Sequence, residues 1–348
     1  MPILPSFIER TILITLNKGP GPMMDLVGGM AFKIVSVAIK LGVFEAIEKE
    51  SLTSEEVAHR ISSDVKATDL LLAVLEALGY VSKKQGCYTN TRMTTKWILE
   101  SSPNSLAGMI SGTEASLERW QYLPDTIRNG RPPMLAWEWL EQHPGGWKDY
   151  QAFMIGMAHA CVEEITARVK LPPNVKRLID LGGGHGLYSI AFCRKYPDLS
   201  ATVFDWPQAK DVAVQTIHSE GMEKRVVFQE GDLWENDYGS GYDAALLFQV
   251  VHMYAPEKNI QLFSKVWNTL NPNGCVVIND QVAVEASSPL AKLLARIASL
   301  ELLNSVNGQT YTPEEIEGWL LQAGFINPSS FLLRITPGFG IVIATKHA

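Results

Sequence analysis

The spacing of apolar side chains changes near residue 171. Before that point, apolar residues recur every three or four positions over residues 23–49 and again over residues 67–78, which predicts two amphipathic helices. Beyond it, short apolar runs alternate with amphipathic runs. The predicted strands are 176–181, 201–205, 225–229, 243–248, 274–280, 331–335 and 339–345, and the predicted helices are 186–195, 207–220, 256–270 and 312–323. This alternation is typical of a mostly parallel sheet with helices on both faces.

Local signals divide the first hundred residues into short elements. Thr53 is followed three residues later by Glu56, which predicts a capping box at the start of a short helix. Gly79 ends the next helix, and residues 82–91 have the composition of a turn between two short strands. Helix, short helix, helix and hairpin together predict a winged helix. Because cations and acids are intermixed over residues 51–92, we expect this region to serve dimerisation rather than DNA binding.

Composition excludes several classes of protein. The chain has 348 residues, enough for two domains, and a formal net charge of −7, which disfavours nucleic acid as a partner. Four scattered cysteines predict reduced thiols and a cytoplasmic location. Without a Cys/His cluster at ligand spacing, no metal site is expected. The most apolar stretch, residues 23–47, contains four charged side chains, so no integral membrane segment is expected.

A glycine-rich loop, "IDLGGGHG", follows the first strand of the alternating region. Glycine allows positive φ and lets a ligand touch the backbone at the carboxyl end of a parallel strand. A dinucleotide site requires a third glycine at the position of Leu187, and a pyrophosphate gains nothing from the carboxylate of Asp180. The pattern instead favours S-adenosylmethionine, which carries an ammonium and a sulfonium group. Gly182 and Gly184 are the predicted contacts in this loop.

Two further acids follow the next two strands. Asp205, about twenty residues beyond the glycine loop, is placed to accept hydrogen bonds from ribose hydroxyls, as it would be in either cofactor class. Asp232 ends the third strand, where it can accept from an adenine amino group, and Leu233 beside it can pack on the ring. We therefore predict a site for S-adenosylmethionine at this edge of the sheet.

The chain resembles the large caffeate- and hydroxyindole-type O-methyltransferases. The resemblance extends over nearly the whole chain and rests on "IDLGGGHG", "VFDWP", "GDLW", "FQVVHMYAPEKN", "LNPNGCVVIND" and "GQTYTPEEIEGWLLQAGF". It implies a Rossmann-like class I methyltransferase domain with a seven-stranded sheet, preceded by a winged-helix dimerisation domain, in a homodimer. The division it implies is 1–104 for dimerisation, 105–170 for a helical linker that contributes to the substrate pocket, and 171–348 for the catalytic domain.

The resemblance also implies roles for individual residues. His252 falls on the family's catalytic histidine and Asp280 on an acid that flanks it. Phe248 replaces a lysine that is frequent four residues before the histidine, and we place it with the cofactor contacts. Expected contacts of the methyl acceptor are Met157, His159 and Asn304.

The chemistry predicted from these residues is methyl transfer to a small-molecule acceptor. By position alone, His252 is equally a structural histidine at a strand end; with the resemblance, we interpret it as the general base for a hydroxyl on a small aromatic or polyketide-like molecule. Because the family's His-Asp-Trp is His-Met-Tyr in this chain, two alternatives stay open. One is transfer to carbon, sulfur or nitrogen; the other is a regulator that binds S-adenosylmethionine without catalysis.

Overall fold

The chain folds into two compact units, residues 1–114 and 115–348. The computed structural model describes residues 7–16, 18, 21–102, 104–283 and 289–347. The three-part division predicted from the sequence, with boundaries after residues 104 and 170, stays a prediction. Within the described ranges, every helix is too short or too polar to cross a lipid bilayer.

The first unit is mainly helical and contains one small antiparallel sheet. A five-residue π-helical segment, Thr11–Thr15, follows the first helix. The elements, in chain order, are α1 (Phe7–Arg10), α2 (Met23–Lys40), α3 (Val43–Ala46), α4 (Ser54–Arg60), α5 (Val65–Ala77), β1 (Val81–Lys84), β2 (Cys87–Asn90), α6 (Arg92–Trp97) and α7 (Ala107–Arg119), the last of which crosses the unit boundary.

The single helix predicted over residues 23–49 is wrong, because the structure breaks it in two. α2 ends at Lys40, and Gly42 takes φ +71° before α3 begins. A positive φ is easy for glycine but stops an α-helix. Apolar spacing continues across the break, since Val43, Phe44 and Ile47 are buried in the same cluster as Val35 and Ala38.

The short elements of this unit form where the local signals place them. Thr53 and Glu56 make the predicted capping box at the start of α4: the Thr53 N–H donates to Glu56 Oε2 at 2.8 Å, and the Glu56 N–H donates to Thr53 Oγ1 at 3.3 Å. Gly79 takes φ +79° just after α5. Gln85 and Gly86, both at positive φ, join β1 to β2, as expected for a tight hairpin turn.

The second unit is a seven-stranded sheet with helices on both faces. Its strands are β3 (Arg177–Leu181), β4 (Ser200–Asp205), β5 (Val226–Glu230), β6 (Tyr242–Phe248), β7 (Leu270–Gln281), β8 (Phe325–Leu332) and β9 (Phe339–Lys346). Its helices are α8 (Leu123–Asn129), α9 (Ala136–Gln142), α10 (Gly146–Arg168), α11 (Leu187–Lys195), α12 (Lys210–Ser219), α13 (Pro256–Thr269), α14 (Pro289–Val306) and α15 (Pro313–Gln322).

The strand order of the sheet is β5-β4-β3-β6-β7-β9-β8. The first five of these are parallel, and β9 runs antiparallel to both neighbours. Successive residues of the central strands enter opposite cores: Leu178 packs in one buried cluster and Ile179 in the other. Both faces are therefore covered, as predicted. The order reverses between β3 and β6, and ligands bind beside such a reversal in open α/β sheets.

Two elements near the C-terminus differ from the sequence prediction. The strand predicted at 331–335 lies instead at Phe325–Leu332, and its register shifts between Ile326 and Ser329. Pro328 argues against a strand in the sequence, but a proline is tolerated here because β8 lies at the edge of the sheet. The 18-residue helix α14 was not among the predicted elements.

Candidate active site

The glycine loop forms a bare backbone bend between β3 and α11. Gly182, Gly184 and Gly186 take φ of +73°, +48° and +76°. A Cβ atom at position 182 would lie 2.9 Å from Val250 Cγ2, and one at 183 would lie 2.6 Å from Asp180 Cγ. Positions 182 and 183 therefore have no room for side chains, and the loop backbone borders a cavity at the carboxyl edge of the sheet.

Asp180 is fully buried at the start of this bend. Its Oδ2 accepts a hydrogen bond from Ser189 Oγ at 2.8 Å, whereas its Oδ1 has no partner among the described residues. Burial, with a further contribution from the nearby Asp205, raises the pKa of Asp180 to about 7. A buried carboxylate oxygen without a donor is well suited to receive a cationic group.

Asp205 is held by the loop that it faces. The Gly184 N–H donates to its Oδ2 and the Trp206 N–H donates to its Oδ1, both at 2.7 Å. These bonds lower the pKa of Asp205, but burial outweighs them and raises it to about 6. Because each carboxylate oxygen has two acceptor sites, the side chain retains capacity for ligand hydroxyls.

Asp232 follows β5 and anchors the next part of the cavity wall. It accepts hydrogen bonds from the Trp234 N–H at 2.7 Å and from Trp206 Nε1 at 2.8 Å. Partial burial acts to raise the pKa of Asp232, but hydrogen bonds from Trp234, Trp206 and Glu235 outweigh it, so the pKa is lowered. Leu233, beside it, also lines the cavity.

The cavity beside these acids has a volume of about 330 Å³. Each predicted cofactor residue lines it: Asp180, Gly182, Gly184, Asp205, Asp232, Leu233 and Phe248. Phe248 is packed edge to face against Tyr188, with ring centroids 4.7 Å apart. The cavity thus joins the carboxyl ends of β3, β4, β5 and β6 across the reversal in strand order.

His252 and Asp280 form a buried pair next to this cavity. His252 lies in a short 3₁₀ helix, Val251–Met253, four residues beyond the end of β6, and Asp280 is near the end of the neighbouring β7. His252 Nδ1 lies 2.6 Å from Asp280 Oδ1, and the His252 N–H donates to Asp280 Oδ2 at 3.1 Å. His252 itself does not line the cavity, whereas Val250 and Met253 on either side of it do.

The residues predicted to contact the acceptor lie off the cavity wall. Met157 and His159 are half-buried on α10, and burial lowers the pKa of His159. Asn304 is buried, its Oδ1 accepting from Thr126 Oγ1 at 2.7 Å and its Nδ2 donating to the Arg119 carbonyl at 3.3 Å. A role in acceptor binding stays a prediction for these three residues.

A different face of α10 lines the cavity. Trp147, Tyr150, Gln151 and Met154 follow one another at helical spacing and all border it. Gln151 is 6% exposed, and its Oε1 has no hydrogen-bond partner in the described part of the chain. Sequence reasoning did not select Gln151 or Met154; the three- and four-residue spacing from Trp147 was the signal that could have found them.

The cavity fits S-adenosylmethionine in three respects. The unpartnered Asp180 Oδ1 suits an ammonium group, the bare loop leaves room against the backbone, and Asp205 and Asp232 offer acceptor oxygens to nucleoside hydroxyl and amino groups. Within the described ranges, no three His, Cys, Asp or Glu side chains are grouped so that they would hold a metal ion.

Comparison with known proteins identifies the same architecture. Residues 120–326 match the model of the O-methyltransferase domain, and residues 24–100 match the O-methyltransferase dimerisation domain. The 3-hydroxy-5-methyl-1-naphthoate 3-O-methyltransferase of Streptomyces sahachiroi is 26% identical, covering 94% of this chain and 95% of its own. The L-tyrosine C(3)-methyltransferase of Streptomyces lavendulae is 24% identical, covering 92% and 91%. The crystal structure of human N-acetylserotonin methyltransferase with SAM superposes with a TM-score of 0.83 at 23% identity, covering 100% of both chains.

The domain match spans more than half of the 348 residues and includes the glycine loop, the three acids and the His252–Asp280 pair. It confirms the predicted fold class, the methyltransferase activity and S-adenosylmethionine as the cofactor. The chain therefore belongs to the O-methyltransferase family and carries that family's dimerisation domain ahead of the catalytic one.

Proposed function

We propose that this enzyme methylates a hydroxyl group of a small aromatic molecule, with His252 as the general base. The observation that carries the proposal is the 2.6 Å contact between His252 Nδ1 and Asp280 Oδ1. The pair lies just beyond Gln249 and Val250, which follow β6 and line the cavity. The Streptomyces sahachiroi relative, named for transfer to a hydroxynaphthoate oxygen, supports the same class of acceptor.

The residues that would hold the cofactor are those that line the cavity around the glycine loop. Asp180 would pair with its ammonium group, Gly182 and Gly184 would accommodate it against the backbone, Asp205 would accept from the ribose, and Asp232 with Leu233 would bind the adenine. Phe248, packed on Tyr188, contributes an aromatic side chain where many family members have a lysine.

The bound cofactor supplies an already activated methyl group, so the protein must position the acceptor, exclude water and remove one proton. Asp280 holds the Nδ1 side of the His252 ring and thereby leaves Nε2 as the proton acceptor. Asp280 is itself fixed, because the Gln281 N–H donates to its Oδ1 at 2.7 Å. Asp280 is thus a positioning residue, and Nε2 of His252 would take the proton of the acceptor hydroxyl.

Transfer to carbon is the second candidate function. The Streptomyces lavendulae relative is named as a C(3)-methyltransferase of tyrosine, and His252 is followed by Met253 and Tyr254 instead of the family's usual Asp-Trp. A carbon nucleophile in a phenol ring is activated by the same deprotonation. The position of the methyl group in the product separates the two candidates.

The dimerisation domain and the cysteines bear on the assembly and the location of the enzyme. We propose a homodimer joined through the dimerisation domain, residues 24–100. A cytoplasmic location is proposed as well, in keeping with four cysteines that are all free thiols.

The test replaces each member of the pair and measures turnover of an aromatic hydroxyl. His252→Ala is expected to lower kcat by about 10²- to 10⁴-fold, the range of general-base catalysis. Asp280→Asn is expected to lower kcat less and to shift the pH profile. Calorimetry with S-adenosylhomocysteine is the control, since neither residue lines the cavity and its affinity should be unchanged. Full turnover by His252→Ala would exclude His252 as the base.

A further inference from the structure

The described lining of the cavity is acidic. Among the described residues that line it, three are aspartates, Asp180, Asp205 and Asp232, and none is lysine or arginine. The remaining titratable side chains of the described wall are neutral near pH 7: burial lowers the pKa of His185 to about 4, and the pKa values of the lining tyrosines lie above the ordinary value for tyrosine. At neutral pH the described residues of the wall therefore offer negative charge and no cation.

The nearby cation, Arg119, is already engaged elsewhere. Its Nη2 donates to Glu301 Oε1 at 3.2 Å and to Ser116 Oγ at 3.0 Å, and its guanidinium lies 5.7 Å from the Trp139 ring centroid. The Arg119 side chain is 9% exposed and does not line the cavity. Its Nε has no partner among the described residues, but the buried side chain does not reach the cavity wall, where a bound acceptor would need a cation.

Two buried oxygen atoms at the cavity are free hydrogen-bond acceptors. Asp180 Oδ1 and Gln151 Oε1 are both buried and without a partner among the described residues. Gln151 Oε1 lies 3.7 Å, and Asp205 Oδ2 lies 3.8 Å, from the position that a Cβ atom on Gly184 would occupy. Oxygen atoms arranged in this way favour ligands that carry hydroxyl or ammonium donors and disfavour ligands that carry a second carboxylate.

The rest of the wall is apolar and aromatic. Trp137 is packed edge to face on Trp206 with ring centroids 5.9 Å apart, and Trp234 is packed on Tyr254 at 5.0 Å. Further apolar lining comes from Leu140, Trp147, Met154, Met253 and Val306. Such walls suit flat rings, whereas an ionised group that loses its water against them needs a partner.

We propose that the acceptor is a flat aromatic hydroxyl compound without an ionised carboxylate. The proposal deepens the function given above and rests on it. An acceptor carboxylate would lose its hydration beside three aspartates and the carboxylate of the cofactor itself, where the described lining supplies no lysine or arginine to pair with it. A neutral amide or unsubstituted ring avoids this penalty and leaves the phenol free to lose its proton.

The test compares two probes of the same shape, one ionised and one neutral: a hydroxynaphthoate with hydroxyl and carboxyl on different rings, and the amide of the same isomer. Calorimetry measures the Kd of each for the intact protein loaded with S-adenosylhomocysteine. The amide is expected to bind at least tenfold more tightly. Equal or tighter binding of the carboxylate, or no binding of either probe, would overturn the proposal. Turnover with S-adenosylmethionine is scored separately: selective binding without methyl transfer would refute the proposed function and leave the charge selectivity standing.

A positively charged side chain placed in the cavity wall should favour the carboxylate probe over the amide. Met154→Lys introduces an ammonium at a half-buried lining position, and Met154→Leu is the matched control of similar volume. The ratio of the two Kd values should shift at least tenfold towards the carboxylate in Met154→Lys and stay unchanged in Met154→Leu. An unchanged ratio in a folded Met154→Lys would argue against the proposal.

Discussion

At the scale of single residues, three carboxylates at the ends of neighbouring strands behave differently because their partners differ. Asp232 accepts from two backbone N–H groups and one indole, and its pKa is lowered. Asp180 has one hydroxyl donor and complete burial, and its pKa rises to about 7. The acid with the fewest donors is therefore the one that gains most from a cationic ligand.

Cofactor binding should consequently depend on pH. Asp180 and Asp205, with pKa values of about 7 and about 6, are protonated at about pH 5, where neither can balance an ammonium group. The affinity for S-adenosylhomocysteine should rise as the pH increases from about 5 to 8, with proton release on binding. Calorimetry in buffers of different ionisation enthalpy measures both. Asp180→Asn should remove the part of this dependence near pH 7.

The raised pKa values of Asp180 and Asp205 make the stability of the ligand-free protein fall as the pH rises, whereas the affinity for the cofactor increases. Because the folded state binds more protons than the unfolded one between about pH 4 and 7, these two groups make the fold less stable as the pH rises through that window. A pH-independent affinity for S-adenosylhomocysteine over the same window would contradict the assignment of Asp180 to the cofactor site.

The glycine loop gives a second prediction at this scale. Gly182→Ala places a Cβ 2.9 Å from Val250 Cγ2 at φ +73°, whereas Gly239→Ala has the same strain at φ +76° but open space around it. Gly239→Ala should lose about 1 kcal/mol of stability, and Gly182→Ala should lose more because of the overlap with Val250. Only Gly182→Ala should lose affinity for S-adenosylhomocysteine, by at least tenfold in calorimetry. Equal losses of affinity in both variants would mean that the loop is not a ligand surface.

At the scale of elements, the sequence predicted the helix starts and stops that depend only on neighbouring residues. The capping box of Thr53 and the stop at Gly79 needed only a few neighbouring residues, and both were predicted. The break at Gly42 was missed because the apolar spacing continues across it. Likewise, the strand around Pro328 was missed, because it forms by pairing with β9 and not from local preference. Element types were thus predictable, and the errors lie where tertiary packing overrides the local pattern.

Helix α14, which the sequence pattern did not predict, is held by a buried polar cluster. Glu301 accepts from Ser116 Oγ at 2.8 Å, from Arg119 Nη2 at 3.2 Å and from Trp120 Nε1. Arg119 is 8% exposed, so its charge depends on this partner. The cluster ties α14, which contributes Val306 to the cavity wall, to the chain around α7 and α8.

Glu301→Gln should therefore destabilise the second unit. Removing the carboxylate leaves the buried Arg119 charge without its partly exposed counter-ion, which costs about 1–3 kcal/mol. Glu230→Gln is the matched control, because its ion pair with Lys210 is more than half exposed and its loss should cost under about 0.5 kcal/mol. Denaturant unfolding of both variants measures the difference. Equal stabilities would show that the cluster does not anchor α14.

At the scale of the whole molecule, the site depends on strand order, which no local pattern specifies. Asp180, Asp205 and Asp232 lie far apart in the chain and meet because β3, β4 and β5 are adjacent and parallel. The sequence predicted this edge from the alternation of strands and helices. It did not predict which face of α10 lines the cavity, because Met154 and Met157 are equally apolar and only the packing of the helix distinguishes them.

Assembly can be tested at the same scale. Met23, Leu26 and Met30 form an apolar stripe along α2, each about half exposed within the first unit. Leu26→Asp together with Met30→Asp should convert the proposed homodimer to monomer in size-exclusion chromatography with light scattering. Leu321→Asp, at an equally exposed position on α15, is the control. A monomeric wild-type protein would refute the proposed homodimer.

The most direct test of the account is the fate of a labelled methyl group. The wild-type enzyme is incubated with a hydroxynaphthamide and S-adenosylmethionine carrying carbon-13 in its methyl group, and the product is identified by NMR. We predict a labelled methoxy group on the ring, formed at least a hundredfold more slowly by His252→Ala. A label attached to a ring carbon, or an undiminished rate in His252→Ala, would contradict oxygen methylation with His252 as the base.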